Sequence, residues 1–279
     1  MLDWLKIFLH GLVQGVTEWL PISSTGHLIL LERLFPLPVS EEFFSLFSVV
    51  IQLGSIAAVP VLYAQPLFAP LRAKCAGERQ AGLRLWRNIL LACLPSAVLG
   101  FLLDDLIDST LDGPLVVACT LILYGILFLA AESRRRAKGR GLTGEVPLSR
   151  AMGIGIFQVL ALIPGTSRSG ATILGGMLLG LDRGTAAEFS FFLAIPTMVG
   201  ASGLRGAKFA LALARGEVSC TATEWLMLGL AAVVAFAVSC AVIRFLRDFV
   251  RRHTFRVFGI YRILLGGAVL ASALAERFC

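Results

Sequence analysis

Long apolar stretches recur along this chain from one end to the other, and they constrain its fold more than any other feature of the sequence. A helix needs about 20 apolar residues to cross the ~30 Å hydrocarbon core of a bilayer, and most of the stretches reach that length. Hydrophobic residues make up 57% of the chain and charged residues only 15%, which is too apolar for a soluble domain. A polytopic, all-α membrane protein is predicted, with apolar stretches at 2–31, 43–69, 86–103, 114–131, 151–180, 187–213, 224–243 and 256–275.

Two of these stretches are interrupted by polar loop sequences. "PISSTGH" divides the first stretch and "PGTSRSG" divides the fifth. Non-helical backbone at membrane depth must be buried in protein or line a wet cavity, because lipid cannot pair its N–H and C=O groups. We therefore expect two re-entrant helix–loop–helix hairpins in addition to six transmembrane helices.

The order of these segments predicts an inverted repeat within one integral membrane domain, 1–279. A hairpin followed by three spans occurs twice, at approximately 1–136 and 150–279. Three crossings reverse the starting side, so the second half must be inverted relative to the first. Broken helices in inverted repeats usually meet near the membrane midplane around a shared polar site. The two polar loops are therefore expected to face each other.

The distribution of charge predicts the orientation of the chain. The connections at 70–87, 132–150 and 244–256 are rich in Lys and Arg, whereas the connection at 104–112 carries only acidic charges. Basic loops are usually retained in the cytoplasm, so the first hairpin is predicted to enter from the outer face. The same clustering explains the net charge of +7 without a nucleic-acid partner.

The first hairpin carries a cluster of groups that suit acid–base, metal-binding or nucleophilic chemistry: Gln14, Glu18, Ser23, Ser24, Thr25 and His27. Gln14 and Glu18 are four residues apart and share one face of a helix. A buried carboxylate must be paired, hydrated or bound to a metal. The alternative for Glu18 is an ion pair or a cap, and hydroxyls alone often hold membrane helices together.

The second hairpin carries a cluster that suits phosphate. Arg168 lies in the middle of an apolar segment and needs an anion, which is either a ligand or Glu18. Its planar guanidinium matches phosphate oxygens, and the half-helix that follows offers unpaired N–H groups. A structural Arg168–Glu18 salt bridge is the alternative. The neighbouring hydroxyls are Ser167, Ser169 and Thr172.

Two functional classes fit these clusters. The first is an enzyme of phosphoryl transfer. The second is a transporter of an anionic substrate, since inverted repeats with broken helices are typical of secondary transporters. A transporter needs neither a nucleophile nor an acid, whereas the clusters supply both beside a carboxylate, and this favours the enzyme. No segment resembles a channel filter.

The two motifs together resemble the signatures of the undecaprenyl-diphosphate phosphatase, or bacitracin-resistance protein, family. "QGVTEWLPISSTGHLIL" is similar to its (E/Q)xxxE region through Gln14 and Glu18, and "PGTSRSGAT" fits its PGxSRSxxT pattern from Pro164 to Thr172. The resemblance extends over the whole chain in length and segment order. Many members have Glu where this chain has Gln14, which weakens a metal-ligand role there.

The resemblance implies an enzyme of the bacterial plasma (inner) membrane that hydrolyses undecaprenyl diphosphate to undecaprenyl phosphate and inorganic phosphate. It implies an active site on the outer, periplasmic side, recycling of the lipid carrier for peptidoglycan synthesis, and resistance to bacitracin. The expected partners are undecaprenyl diphosphate and membrane lipids, with no nucleic acid. The choice between a monomer and a homodimer stays open.

The resemblance also implies roles for individual residues. Ser24 attacks the terminal phosphorus or orients the attacking water, and His27 is the general acid/base or itself the nucleophile. Glu18, a catalytic residue, binds a divalent cation (Mg²⁺ or Ca²⁺) with Gln14. The expected diphosphate-binding residues are Arg168, Ser167, Ser169, Thr172, Thr25 and Ser23.

Overall fold

The structure is a computed structural model that describes residues 2–37, 39–111, 113–138, 141–142 and 144–278. Within these residues the regular secondary structure is helical, apart from one isolated parallel bridge between Leu142 and Leu181. The prediction of an all-α protein is confirmed.

The first half of the chain contains two short helices, a broken third segment and two long helices. Helix α1 ends well inside the first apolar stretch, and α2 begins after a loop at 18–23, which we call the first loop. The helices are α1 Leu2–Thr17, α2 Ser24–Leu34, α3 Glu41–Ile56, α4 Ala58–Leu62, α5 Ala64–Arg72, α6 Ala76–Thr110 and α7 Pro114–Lys138.

The second half follows the same order of elements. Two short helices are separated by residues 160–167, which we call the second loop and which include a short 3₁₀ turn. Three long helices follow. The helices are α8 Leu148–Val159, α9 Arg168–Leu178, α10 Arg183–Ala214, α11 Ala222–Arg252 and α12 Arg256–Phe278.

Six helical segments in the described part of the chain are long and apolar enough to cross a membrane, as predicted. Neither α1–α2 nor α8–α9 is among them, because each loop divides its apolar stretch into pieces too short to span. The six segments are Phe43–Leu62, Ala76–Leu103, Pro114–Arg134, Arg183–Ala214, Ala222–Arg252 and Arg256–Ala273.

The connections between spans are shorter than the apolar pattern indicates. Most of the 70–87 segment is helical, because α5 continues to Arg72 and α6 begins at Ala76. Helix α6 also continues to Thr110, through most of the acidic 104–112 segment, whose Asp112 lies outside the described residues. The Arg and Glu side chains of the 70–87 segment favour a helix, and charged residues are well solvated beyond the hydrocarbon, so α5 and α6 extend past their apolar segments there.

Close helix packing brings the two interrupted segments into the interior. Helix α1 packs along α11, and α8 packs along α6, while α7 packs along α12. A Cβ added at Gly11 would lie 2.6 Å from the carbonyl oxygen of Ala231, and one at Gly155 only 2.2 Å from that of Ala92. Glycine is needed at both contacts because only its absent side chain permits this approach. The loops that end α1 and α8 are thereby held at the centre of the bundle.

Candidate active site

The two loops have the same local structure. Each ends in a serine with positive φ, Ser23 at 72° and Ser167 at 69°, and these are the positive-φ non-glycine residues of the described chain. Each serine caps the following half-helix: the Gly26 N–H donates to Ser23 Oγ at 3.3 Å and the Gly170 N–H to Ser167 Oγ at 3.2 Å. A non-glycine residue in this region is uncommon and must be held by its surroundings.

Glu18 is the centre of the site and contacts groups from both interrupted segments. Its Oε2 accepts hydrogen bonds from Gln14 Nε2 at 2.8 Å and from the Ser24 hydroxyl at 3.0 Å. Its Oε1 forms an ion pair with Arg168 Nη2 at 3.1 Å. The carboxylate is only 4% exposed, so these partners replace most of its hydration. The salt bridge named as an alternative for Arg168 is therefore present in the structure.

Arg168 is held on its other side by α10. Its Nη1 donates to the carbonyl oxygen of Ser190 at 2.8 Å, and the Ser190 hydroxyl lies 2.6 Å from Thr172 Oγ1. Its guanidinium also lies 5.7 Å from the ring centre of Trp19, at a distance typical of cation–π contacts. Thr172 is fully buried behind Arg168. The contacts of Arg168 with Ser190 and Trp19 orient its side chain, and Thr172 supports them through Ser190.

The remaining hydroxyls predicted for diphosphate binding are divided between the loop interface and the surface. Ser169 Oγ is 3.2 Å from the carbonyl oxygens of Glu18 and Leu20, so it ties α9 to the first loop. Ser167 Oγ lies 3.1 Å from Ser169 Oγ and is occupied by its capping contact. Thr25, by contrast, is exposed in the first turn of α2.

His27 is hydrogen-bonded to groups other than Ser24 and Glu18 in the described structure. Its Nδ1 lies 2.6 Å from the carbonyl oxygen of Ser23, and its Nε2 lies 2.6 Å from the hydroxyl of Tyr261. A carbonyl only accepts, so Nδ1 must carry the proton. The neutral imidazole then accepts the Tyr261 O–H at Nε2. The two rings are parallel to within 2°.

Helix α12 contributes two residues that the motifs did not indicate, Tyr261 and Arg262. Tyr261 reaches His27, and the buried guanidinium of Arg262 reaches carbonyl groups of both loops. A signal for Arg262 was present, because it lies in the middle of the apolar stretch 256–275, as Arg168 lies in its own. Tyr261 has no comparable signal, since tyrosine is common in apolar helices.

Unpaired polar atoms are concentrated around the loops. Six buried side-chain nitrogen or oxygen atoms in the described residues lack a hydrogen-bond partner within the protein, and all but Ser55 Oγ belong to this region. Buried polar groups normally have partners, so such a concentration indicates a place that receives a polar ligand. The five atoms are Gln14 Oε1, Trp19 Nε1, Thr166 Oγ1, Arg168 Nε and Arg262 Nε.

The oxygen groups beside Glu18 fit a divalent cation in part. The Gln14 amide donates to Glu18, which leaves its Oε1 as a buried acceptor without a partner. No group of three or more His, Cys, Asp or Glu residues in the described chain could hold a metal ion. Mg²⁺ is commonly held by one or two carboxylates together with substrate phosphates. Glu18 and Gln14 suit such a shared site.

Comparison with known proteins identifies the family of this chain. The model of a family described as "Bacitracin resistance protein BacA" matches residues 7–268. The chain is 48% identical to undecaprenyl-diphosphatase 1 of Clostridioides difficile, over 97% of this chain and 96% of that protein. It is 46% identical to the undecaprenyl-diphosphatase of Acetivibrio thermocellus, over 99% and 100% of the two chains. With both loops and their shared polar centre inside the matched region, the chain belongs to the bacitracin resistance protein BacA family.

Proposed function

We propose that this protein is an integral membrane phosphatase that hydrolyses undecaprenyl diphosphate to undecaprenyl phosphate and inorganic phosphate. One observation carries the proposal: Ser24, Glu18 and Arg168, from two separate hairpins, form a continuous hydrogen-bonded chain. A nucleophile, a proton acceptor and a guanidinium that can bind phosphate are thereby within one site. The names of the relatives supply the substrate.

Ser24 is proposed as the nucleophile. Its hydroxyl already donates to Glu18 Oε2 at 3.0 Å, so the carboxylate is placed to accept the proton as Ser24 Oγ attacks the terminal phosphorus. The bond between this phosphorus and the bridging oxygen breaks, and undecaprenyl phosphate leaves with the bridging oxygen. Water then hydrolyses the phosphoseryl group and releases inorganic phosphate.

Arg168 is proposed to exchange Glu18 for a phosphate oxygen when substrate binds. Its bond to the Ser190 carbonyl keeps the guanidinium in place during this exchange, and the partnerless Nε adds a second donor. Planar guanidinium groups bind phosphate through two parallel hydrogen bonds. Arg168 then faces the charge that develops on the transferred group. The N–H groups in the first turns of α2 and α9 supplement it.

The other site residues are proposed to support these steps. Thr172 and Ser169 hold Arg168 and the first loop in position, while Thr25 is exposed and meets the diphosphate from the surface. His27 is half-buried and serves as the acid–base group for the water of the second step. Glu18 and Gln14 would hold a divalent cation (Mg²⁺ or Ca²⁺), which would neutralise charge on the diphosphate.

We also propose that approximately 1–136 and 150–279 are inverted repeats, with two re-entrant hairpins and a site open to the outer face. Two observations support this arrangement. Helix α1 packs along α11, and α8 packs along α6. The first helix of each half therefore packs against the same long helix of the other half. Ser23 and Ser167 have the same strained geometry at corresponding positions. A diphosphate at the membrane surface can reach polar groups that such hairpins carry into the membrane.

The proposal is tested by phosphate release from undecaprenyl diphosphate with purified protein in detergent. The wild-type protein should release phosphate with Mg²⁺ or Ca²⁺, and a chelator should stop the reaction. Ser24→Ala should lose at least about 100-fold in kcat, since it removes the group that attacks. Arg168→Ala should lose activity while its thermal unfolding shows a folded protein.

The outcomes separate the enzyme from its alternatives. A well-folded wild-type protein that releases no phosphate would favour an anion transporter, with Arg168 binding a substrate that is carried. An Arg168→Ala variant that turns over normally would contradict the role of Arg168 in phosphate binding. Loss of folding in that variant would instead support a structural Glu18–Arg168 bridge.

A further inference from the structure

Arg262 links the two loops from a third element of the fold. Its side chain is fully buried at the point where α12 passes both loops. Nη1 donates to the carbonyl oxygen of Pro21 at 3.2 Å, and Nη2 donates to those of Gly165 at 3.0 Å and Thr166 at 2.9 Å. One guanidinium therefore connects the first loop with the second.

The charge of Arg262 has no carboxylate partner in the described part of the chain. None of the ion pairs there includes Arg262, and its guanidinium also lies 5.3 Å from the centre of the Tyr124 ring. A buried charge without a counter-charge is costly, and an apolar residue would fill this space more cheaply. The compensating gain is in hydrogen bonds to backbone carbonyls, which are about twice as strong when the donor is charged.

The carbonyl groups that Arg262 holds lead directly into the two strained serines. Pro21 lies two residues before Ser23, and Gly165 two residues before Ser167. Positive φ at such residues costs on the order of 1–3 kcal/mol and persists only where the surroundings fix it. The residue that follows each serine, Ser24 or Arg168, begins the next helix and is a principal site residue. Fixing these carbonyls therefore fixes the direction in which both side chains leave the backbone.

We propose that Arg262 is a positioning residue of the active site that sets the separation between Ser24 and Arg168 by clamping the first loop to the second. The inference rests on the proposed phosphatase activity, because this separation determines whether a phosphorus bound by Arg168 lies in line with Ser24 Oγ. A displacement of about 1 Å at a reacting centre can cost ~100-fold in rate.

The test compares Arg262→Gln and Arg262→Lys with the wild-type protein in detergent. Phosphate release from undecaprenyl diphosphate gives kcat and KM, and hydrogen–deuterium exchange reports on peptides covering 18–23 and 160–167. Arg262→Gln should lower kcat ~100-fold with a smaller change in KM, and exchange should rise in both loops. Arg262→Lys should recover part of kcat, because an ammonium retains charge but lacks the fork that spans both loops.

Arg183→Gln is the matched control. Arg183 forms an ion pair with the buried Glu132 at the start of α10, away from both loops. This variant should lower thermal stability while kcat for the folded protein stays within about 3-fold and exchange in the two loops stays unchanged. A general loss of stability would then be distinguished from a loss of loop position.

Four results decide the inference. Wild-type kcat in folded Arg262→Gln would overturn the clamp, as would an exchange increase spread evenly over the chain. If Arg262→Gln does not fold, the Lys variant decides, and a kcat equal to wild type in that variant would overturn the clamp. An inactive wild-type protein would contradict the proposed phosphatase, but increased exchange confined to the two loops would still support the clamp itself.

Discussion

At the scale of single residues, hydrogen bonding determines the form of His27. Its Nδ1 proton is used by the Ser23 carbonyl, and Tyr261 donates to Nε2. The tyrosine thus belongs to the site although it lies in the last helix, and the imidazole must exchange protons with water at Nε2, beside the Tyr261 hydroxyl. Tyr261 is 41% exposed, which gives water access to this pair.

Tyr261→Phe should lower kcat by up to about 10-fold, since it removes one hydrogen bond worth ~0.5–1.5 kcal/mol to the imidazole. Phosphate release measures the effect, and nitrogen-15 spectra of labelled histidine should show a change in the His27 signals. Tyr63→Phe serves as the control, because Tyr63 is a buried tyrosine of the main hydrophobic core. Equal losses in the two variants would contradict a specific role for Tyr261.

At the scale of elements, α7 determines the path of the second loop. Gly165 has φ +83°, and an added Cβ would lie 2.3 Å from Thr120 Oγ1 and 2.7 Å from Val117 Cα. Thr120 in turn donates to the carbonyl oxygen of Pro164 at 2.8 Å. Only glycine combines this backbone conformation with such a close approach. The second loop is therefore packed against a spanning helix on one side and held by α12 on the other.

Gly165→Ala should destabilise the protein by roughly 2–5 kcal/mol. The left-handed backbone contributes ~1–2 kcal/mol of this loss and overpacking contributes ~1–3 kcal/mol. Thermal unfolding in detergent measures this loss, and phosphate release should fall with it because the second loop must move. Gly200→Ala is the matched control, since an added Cβ in α10 meets nothing within 4 Å. A fully stable, fully active Gly165→Ala would show that the loop is not constrained at this position.

At the scale of the whole molecule, the site lies at the meeting of both halves of the chain. The ion pair between Glu18 and Arg168 joins residues that are 150 positions apart, and it is buried in a bundle whose described part includes six helical segments long enough to cross a membrane. Burial inside such a bundle excludes water and strengthens electrostatic interactions. The direction in which the site opens then determines which membrane leaflet supplies the lipid substrate.

The proposed outward opening predicts a sided pattern of cysteine labelling. Variants that keep one cysteine at a time should react with a membrane-impermeant maleimide in intact cells at Thr25→Cys and at the native Cys220. The native, exposed Cys75 in the predicted cytoplasmic connection should react only after permeabilisation. The reverse pattern would contradict the orientation proposed from the basic connections.

Local sequence patterns account for several contacts at the two loops because these contacts depend on neighbours along the chain. The four-residue spacing of Gln14 and Glu18 fixes their contact on one helical turn. The prolines in both loops, followed by Gly165 in the second, favoured breaks in the helices, and an isolated Arg168 required an anion. Thr172 was expected in the diphosphate site, and its full burial behind Arg168 depends on α10, which no local pattern describes.

The sequence by itself determined an all-helical membrane protein with six spans, two polar interruptions and the residues available for phosphate chemistry. Hydrophobic length and backbone hydrogen bonding in lipid impose these features locally. Only the tertiary structure decided that Glu18 pairs with Arg168, that Tyr261 meets His27, and that Arg262 joins both loops. The last two contacts span 234 and 241 residues, and they arise because packing places α12 beside both loops.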